Sequence, residues 1–427
     1  MMKVKNLIFA VFLGAIACSG AHAKNLSLDA AVALVMEQSN DIRKAEANTR
    51  KMQATLNSVF ANRLPKIDAT AAYTNLLNLN NLSVTGGTMI PQSTSPDNLG
   101  TLGIQASQTI YTFGKIGFAL DMARAGLKIA ETSKKLAELE MRAAAVTLYW
   151  SAKMSDEMVK VAERALKNTR SAQSQLTATG RSNLSNLVRI SADVAARQID
   201  LEDAKFGRDS AFRMLKAYAG IDDSETIALT TEFPTSFSAI RAGSPAPLEW
   251  DVYETQAKLY SAEKWQNYMG YAPTLSAFGK YNYQTFGETR DELFERYKHD
   301  ANVGVALTMP LFDGGARMAM ATASAESAIM AREDLDKSKR IKTAEYDDLI
   351  QKHAHLRRQL KELESTRDLT ERAYKLSKAR FLAGQTSATE LADVERATAQ
   401  MEMALLNAKV QILVAAENIR KFEAGAR

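Results

Sequence analysis

The sequence predicts a mainly α-helical protein with a membrane β-barrel part and two internal repeats, and three observations support this. Similar segments recur at offsets of 201 to 208 residues, as in "IYTFGK" at Ile110–Lys115 and "LFDGGA" at Leu311–Ala316. Residues Leu127–Thr179 and Ala316–Ala383 contain no glycine or proline, which favours two very long helices. Each repeat also has two segments with apolar residues at every second position, the β-strand pattern.

The first 23 residues have the pattern of a secretory signal peptide. Two lysines precede the apolar run Leu7–Ala17, and Ala21-His22-Ala23 provides an A-x-A cleavage signal. We expect residues 1–23 to be removed on export. Cys18, the single cysteine, then leaves with the peptide; the alternative is a lipid-anchored N-terminus at Cys18.

The remaining chain divides into two copies of one unit and a linker. The first repeat spans 24–219, the linker 220–248, and the second repeat 249–427. Each repeat is predicted to hold a helix, two membrane strands and a long helical hairpin, with tips near 180 and 384. The first helix is expected over Ser27–Asn62, with Ser27 as its N-cap, and its counterpart over Glu249–Tyr268.

The alternating segments place their apolar residues on single faces. These faces carry Ile67, Ala69, Ala71 and Tyr73, then Leu102, Ile104 and Ala106, then Leu275, Ala277, Gly279, Tyr281 and Tyr283, and finally Val303, Val305, Leu307 and Met309. Their lengths suit the 9–11 residues of a membrane-crossing strand. Four strands cannot close a membrane barrel, because the smallest has eight, so two or three chains must share one.

Sequence segments along nearly the whole mature chain resemble the TolC-type outer membrane efflux proteins. They are "SLDAAVALVMEQSNDIRKAEA", "LPKIDATAAY", "PLFDGGAR" and "RFLAGQTSATELADVE". The resemblance implies a homotrimer in the bacterial outer membrane, with a twelve-stranded barrel continued by a long periplasmic α-helical barrel. It also implies a smaller equatorial region, for which 220–248 and the C-terminal residues are candidates.

The resemblance further implies a channel-tunnel for tripartite efflux or type I secretion. Its partners would be a periplasmic adaptor (membrane fusion) protein, an inner-membrane transporter reached directly or through the adaptor, and outer membrane lipid. The sequence does not name the cargo, which is drugs, metal ions or a secreted protein.

The second hairpin tip carries the acidic residues of most interest. Glu390 and Asp393 lie three residues apart and share a helix face. Around a three-fold axis they would form carboxylate rings, which select cations, and the resemblance implies that these positions line the periplasmic entrance. Asn186 and Arg189 hold the matching places in the first repeat. Gly180 and Gly384 at the tips are candidates for adaptor docking.

The strand-to-helix corners are a second group of candidate residues. A sharp turn needs backbone angles that glycine tolerates best, and a proline is acceptable where a strand ends. The corner residues are Phe113, Gly114, Pro310, Asp313, Gly314 and Gly315.

Other functional classes find little support in the sequence. There is no Walker loop, G-x-S-x-G, H-E-x-x-H or C-x-x-C motif, so no enzyme activity, cofactor or metal is expected. His353 and His355 do not face each other on a helix and are expected to be exposed. A net charge of +5 without a basic stripe argues against nucleic acid. The main alternative is a periplasmic coiled-coil structural or adaptor protein.

Overall fold

Long helices dominate the computed structural model, which describes residues 24–75, 82–85, 88–91, 98–179, 184–287 and 296–426. The helices are α1 (Leu28–Gln38), α2 (Asn40–Ala61), α3 (Lys115–Thr179), α4 (Leu184–Ala219), α5 (Leu248–Met269), α6 (Ala316–Leu382) and α7 (Ala388–Phe422). The predicted signal peptide lies outside the described residues. Among those described, no helix combines the length and the apolarity that crossing a membrane requires.

Two helices differ from the sequence prediction. The predicted Ser27–Asn62 helix is in fact two, because Ser39 is extended with φ −61° and ψ 118°. Ser27 caps α1, its hydroxyl accepting from the Ala30 N–H at 3.2 Å. Helix α3 starts at Lys115, before the glycine-free run at Leu127, and continues through Gly117 and Gly126. A helical glycine costs only about 1 kcal/mol, which a helix of 65 residues tolerates.

The strands form one four-stranded antiparallel sheet and two small pairs. They are β1 (Lys24–Leu26), β2 (Lys66–Asn75), β3 (Leu82–Thr85), β4 (Thr88–Pro91), β5 (Asn98–Tyr111), β6 (Ile227–Leu229), β7 (Thr274–Gly287) and β8 (Arg296–Thr308). The main sheet has the order β2-β5-β7-β8, while β3 pairs with β4 and β1 runs parallel to β6. The two predicted strands of each repeat are thus neighbours in one sheet.

The register of the main sheet brings the predicted apolar positions together on one face. One cross-strand row contains Ile67, Ala106, Gly279 and Val303, and the next contains Ala69, Ile104, Tyr281 and Ala301. The side chains of this face are exposed to an unusual degree, with Val303 at 89% and Ile67 at 73%. Soluble proteins rarely expose a continuous apolar surface of this kind.

Charged and amide side chains lie on the opposite face of the sheet. A row on this face contains Asp68, Gln105, Lys280 and Asn302. Nearby, the Asn282 amide donates to Asp300 Oδ2 at 3.1 Å, as does the Asn302 amide. The sheet therefore separates an apolar environment from a polar one.

The chain folds as two compact units that each draw on both repeats. Of the described residues, the first unit includes 24–40 and those within Glu138–Gly243 and Asp347–Lys421. The second includes Asp41–Ala137, Ser244–Tyr346 and Phe422–Arg427, and so contains the main sheet. The repeats are therefore units of sequence rather than units of packing.

In the first unit, the linker is tied to the core by Tyr149 of α3. The fully buried Tyr149 hydroxyl donates to the Leu26 carbonyl at 3.2 Å and accepts from the Thr231 N–H at 2.9 Å. Beside it, Trp150 stacks on Phe233 with ring centroids 5.1 Å apart. One α3 segment thus holds both β1 and the segment after β6 in place.

In the second unit, Asp313 organises the corner between β8 and α6. Its carboxylate accepts from the Tyr271 hydroxyl at 2.8 Å, from the Gly315 N–H at 3.1 Å and from the Arg317 N–H at 3.2 Å. Gly314 and Gly315 have φ values of 70° and 86°. These left-handed angles suit glycine, so the chain turns sharply and enters α6 with its first N–H groups bound.

The corner between β5 and α3 is built differently. Phe113 has a φ of 50°, which is uncommon for a residue with a side chain, and Gly114 has a φ of 99°. Phe113 packs edge-to-face on Tyr111 with centroids 4.7 Å apart. Packing between two aromatic rings therefore accompanies the turn from β5 to α3, whereas the Asp313 carboxylate holds the turn from β8 to α6. Pro310 lies just beyond the end of β8.

We predict that Asp313→Ala lowers the melting temperature of the protein in detergent, because three donors lose their acceptor. Tyr271→Phe, which removes one donor, should lower it less. Partial burial acts to raise the pKa of Asp313, but hydrogen bonds from Tyr271 and the backbone lower it overall. The stabilisation is therefore present above the ordinary aspartate pKa and is lost as pH falls through the folded value. Asp313→Asn should abolish this acid-induced loss, and an unchanged acid response in Asp313→Asn would contradict the assignment.

Candidate functional site

The turn between α6 and α7 ends α6 with a two-bond motif. Gly384 has a φ of 74°, its N–H donates to the Phe381 carbonyl at 3.0 Å, and the Gln385 N–H donates to the Arg380 carbonyl at 2.8 Å. This pair of bonds is the Schellman motif, which satisfies the last carbonyls of a helix. A Cβ atom at Gly384 would meet open space, so the backbone angle and not crowding selects glycine.

Ser387 is the N-cap residue of helix α7. The Ser387 hydroxyl accepts from the Glu390 N–H at 3.1 Å. The Glu390 carboxylate in turn accepts a short hydrogen bond from the Thr386 hydroxyl. Glu390 therefore stabilises the helix start in addition to presenting a charge.

Glu390 and Asp393 are both exposed on α7, and Arg396 extends their face by another three residues. Arg396 lies 3.5 Å from Asp393 and 3.8 Å from Asp193 of α4. Part of the negative charge at the tip is therefore compensated by a cation that sequence reasoning missed. The i,i+3 spacing of Asp393 and Arg396 was the available signal.

The first-repeat tip carries a different set of side chains. Asn186, at the position matching Glu390, is half-buried, while Arg189, at the position matching Asp393, is exposed. Gly180, the predicted docking position of this tip, lies outside the described residues. Where the second tip presents carboxylates, the first presents an amide and a guanidinium.

The two hairpins share a small apolar core just behind their tips. It contains Ala172 of α3, Ile190 of α4, Phe381 of α6, and Ala388 and Leu391 of α7. The four helices thus pack on each other close to the turns. This packing sets which faces of α7 point outwards.

Behind this core, Glu395 of α7 is buried among the helices. It is only 6% exposed, and its Oε2 is joined to the Thr169 hydroxyl oxygen of α3 by a hydrogen bond of 2.8 Å. Burial raises the pKa of Glu395 above the ordinary glutamate value. The buried positions of α7 here are Glu395 and Ala399, while Val394 and Thr398 are only partly buried.

The two helical histidines are not alike. His353 is buried, contrary to the sequence prediction, while His355 is exposed as expected. Burial, together with the nearby Arg357, lowers the pKa of His353. The His353 imidazole is therefore part of the interface between α6 and the residues packed against it, and not of the protein surface.

A four-stranded sheet with one exposed apolar face and two long helical hairpins defines a membrane protein of mixed β and α architecture. The model of the family described as outer membrane efflux protein matches residues 31–221 and 269–424. The chain belongs to the outer membrane efflux protein family. It is accordingly an outer membrane protein with a long periplasmic portion.

Solved structures of bacterial outer membrane proteins share this fold. The CmeC outer membrane channel of Campylobacter jejuni has 17% identity and a TM-score of 0.82, over 93% of this chain and 85% of CmeC. The outer membrane protein VceC of Vibrio cholerae has 18% identity and a TM-score of 0.76, over 93% and 96%. The open-state MtrE channel of Neisseria gonorrhoeae has 17% identity and a TM-score of 0.75, over 93% and 89%. A comparison with curated protein sequences gave no match.

We predict that Gly384→Ala destabilises the second tip by about 1–2 kcal/mol, because alanine is strained in the left-handed conformation. Gly207→Ala in α4 is the matched control, since Gly207 also faces open space but does not have a positive φ. The control should be neutral or slightly stabilising. Hydrogen exchange of the α6–α7 turn measures the effect, and equal exchange in both variants would contradict the prediction.

Proposed function

We propose that the chain forms a homotrimeric outer membrane channel-tunnel of a tripartite efflux or type I secretion system. It gives cargo passive exit across the periplasm and the outer membrane. The observation that carries the proposal is the register of the main sheet, which collects the apolar positions of all four strands on one exposed face. A face of this kind is suited to lipid, and the polar face is suited to an aqueous lumen.

The number of strands favours a shared barrel. Within the described residues, the main sheet ends on β2 and β8, so each of these strands has one edge to offer. Open edges are not stable in lipid, because their backbone groups have no water to bind. Three chains of four strands each give a barrel of twelve, an even number within the known range.

Exposed apolar residues at helical spacing favour trimerisation along the helices too. Ile199 and Phe206 of α4 lie seven residues apart and are 63% and 71% exposed. Leu369 and Leu376 of α6 repeat this spacing at 61% and 63%. Heptad-spaced apolar side chains are those that neighbouring helices cover in coiled-coil packing.

The entrance of the proposed tunnel lies at the tips. Glu390 and Asp393 would repeat around the three-fold axis as carboxylate rings, with Asn186 and Arg189 of the first tip beside them. Such rings attract cations and repel anions. Because Arg396 lies close to Asp393, the ring formed by Asp393 carries less net negative charge than the sequence alone suggests.

Planar-bilayer recording of the purified trimer tests the proposed function. We predict discrete, cation-preferring channels that conduct more and select less in Glu390→Gln/Asp393→Asn. These isosteric changes remove charge while leaving an acceptor for Thr386. The difference should shrink from 0.1 M to 1 M salt, where the Debye length falls from about 10 Å to about 3 Å.

The control is Asp368→Asn/Glu371→Gln, which removes the same charge at the same spacing from α6, away from the turn. It should leave the selectivity largely unchanged. Equal selectivity in both double variants and the unmodified protein would remove the entrance assignment. A verified trimer that never conducts would count against the channel itself.

The turns at Gly180 and Gly384 are the proposed docking sites for hairpins of a periplasmic adaptor protein. We predict that Gln385→Trp, an exposed turn position without the backbone strain of Gly384, blocks adaptor binding while the trimer still forms. Binding of the purified adaptor to the purified trimer measures this. Unimpaired binding would place docking elsewhere.

A further inference from the structure

Acidic and basic residues pair along the contact between α3 and α7. The pairs are Glu140–Lys421 at 3.2 Å, Arg142–Glu417 at 2.8 Å and Arg164–Glu402 at 2.8 Å. In each of these pairs a carboxylate meets a lysine or arginine across the two helices. The next carboxylate towards the tips is Glu395, and it meets the neutral hydroxyl of Thr169 instead.

The hydrogen bonds around Thr169 depend on where the proton lies. The Thr169 Oγ1 is 2.8 Å from Glu395 Oε2 and 3.0 Å from the Ala165 carbonyl oxygen. A hydroxyl has one proton and a carboxylate only accepts, so ionised Glu395 allows one of these two bonds. Protonated Glu395 donates to Thr169, which then donates to Ala165, and both bonds form together.

The other oxygen of the Glu395 carboxyl group also fits the protonated form. Oε1 is buried and has no hydrogen-bond partner among the described residues. Burying a charged oxygen without a partner costs far more than burying a neutral carbonyl oxygen. Two independent features, the bond pattern and the unpartnered oxygen, therefore favour the neutral acid.

Each helix around Glu395 contributes a group that bears on its charge. Thr169 and Asn168 of α3 act to lower the pKa of Glu395, as do the positive charges of Arg197 of α4 and Lys378 of α6. Arg197 is itself engaged by Asp200 at 3.0 Å. Burial outweighs these groups and raises the pKa of Glu395. Tyr374 of α6, with a pKa raised to about 12 by burial and by Glu395, stays neutral.

We propose that Glu395 is a protonation-sensitive latch that holds α7 to α3 behind the hairpin tips when neutral and releases it when ionised. The consequence for the channel rests on the proposed function: release would loosen the helix that carries Glu390 and Asp393. The direction follows from linkage. A carboxyl group bound more tightly to its proton in the packed state stabilises that state below its ordinary pKa. The stabilisation declines as pH rises towards the raised pKa.

Hydrogen exchange of the full-length protein in detergent tests the latch independently of conductance. Peptides covering 388–400 are compared between the unmodified protein and Glu395→Gln at the same pH, so that the intrinsic exchange rate cancels. The two should agree below about pH 4.5, the ordinary glutamate value. Above this pH, the unmodified protein should exchange faster than Glu395→Gln. The ratio of the two rates should grow about tenfold for each pH unit up to the raised pKa of Glu395, and it should stay constant at higher pH.

Glu402→Gln is the matched control on the same helix. Glu402 has a cation partner, so its neutralisation removes an attraction and should speed exchange, the opposite of the Glu395→Gln effect. Thr169→Val provides a second variant that does not change Glu395. It should speed exchange most at acid pH, where the neutral pair is intact. Equal exchange in Glu395→Gln and the unmodified protein at every pH, or faster exchange in Glu395→Gln, would overturn the proposal.

Conductance then tests the link between the latch and the entrance. In planar bilayers the conductance of the unmodified channel should rise over the same pH window, while Glu395→Gln stays at the acid value. Persistence of the rise in Glu395→Gln would overturn the link to the entrance. If the unmodified protein formed no channel, the proposed function would fail, and the exchange result would still decide whether the latch exists.

Discussion

Backbone hydrogen bonding in the four-stranded sheet is the constraint on which the rest of the structure depends. Every second residue of β2, β5, β7 and β8 points to one face, so a single register fixes an apolar surface and a polar surface together. The apolar surface suits lipid, and lipid provides no donors or acceptors for an open edge. The membrane requirement and the proposed association with further chains therefore have one physical origin.

The two corners show how that sheet is joined to long helices, and they do so with different chemistry. Asp313 collects donors from Tyr271 and from the start of α6, next to two glycines in left-handed conformations. In the first repeat, Phe113 takes up such a conformation beside Tyr111. The repeats thus keep the same path of the chain while their side chains have diverged.

Divergence is equally clear at the tips, where the repeats pack against each other. The exposed carboxylates belong to α7, and the matching positions of α4 carry an amide and a guanidinium. Directly behind them, the buried Glu395 joins α7 to α3 through a hydroxyl rather than a cation. The exposed carboxylate of Asp393 and the buried carboxyl group of Glu395 are therefore separate features, although only Val394 lies between them in the sequence.

The sequence by itself determined the elements that depend on local patterns. Period-two alternation identified the four strands, and the absence of glycine and proline identified α6 to within one residue. Local rules did less well at two places: Ser39 divides the first helix, and α3 continues through Gly117 and Gly126 because a long helix tolerates their small cost. Glu390 and Asp393 could be named from their spacing, but the hydrogen bond between Glu390 and Thr386 could not.

Tertiary structure alone decided which side chains are buried and what they meet. The register brought four separate apolar runs onto one face, and helix packing near the tips buried Glu395. Farther from the tips, helix packing also buried His353 of α6. A side chain is buried and hydrogen-bonded by residues that are distant in sequence, as Glu395 is by Thr169. A sequence pattern reports the period of one element, whereas the protonation of a carboxyl group depends on all the elements around it.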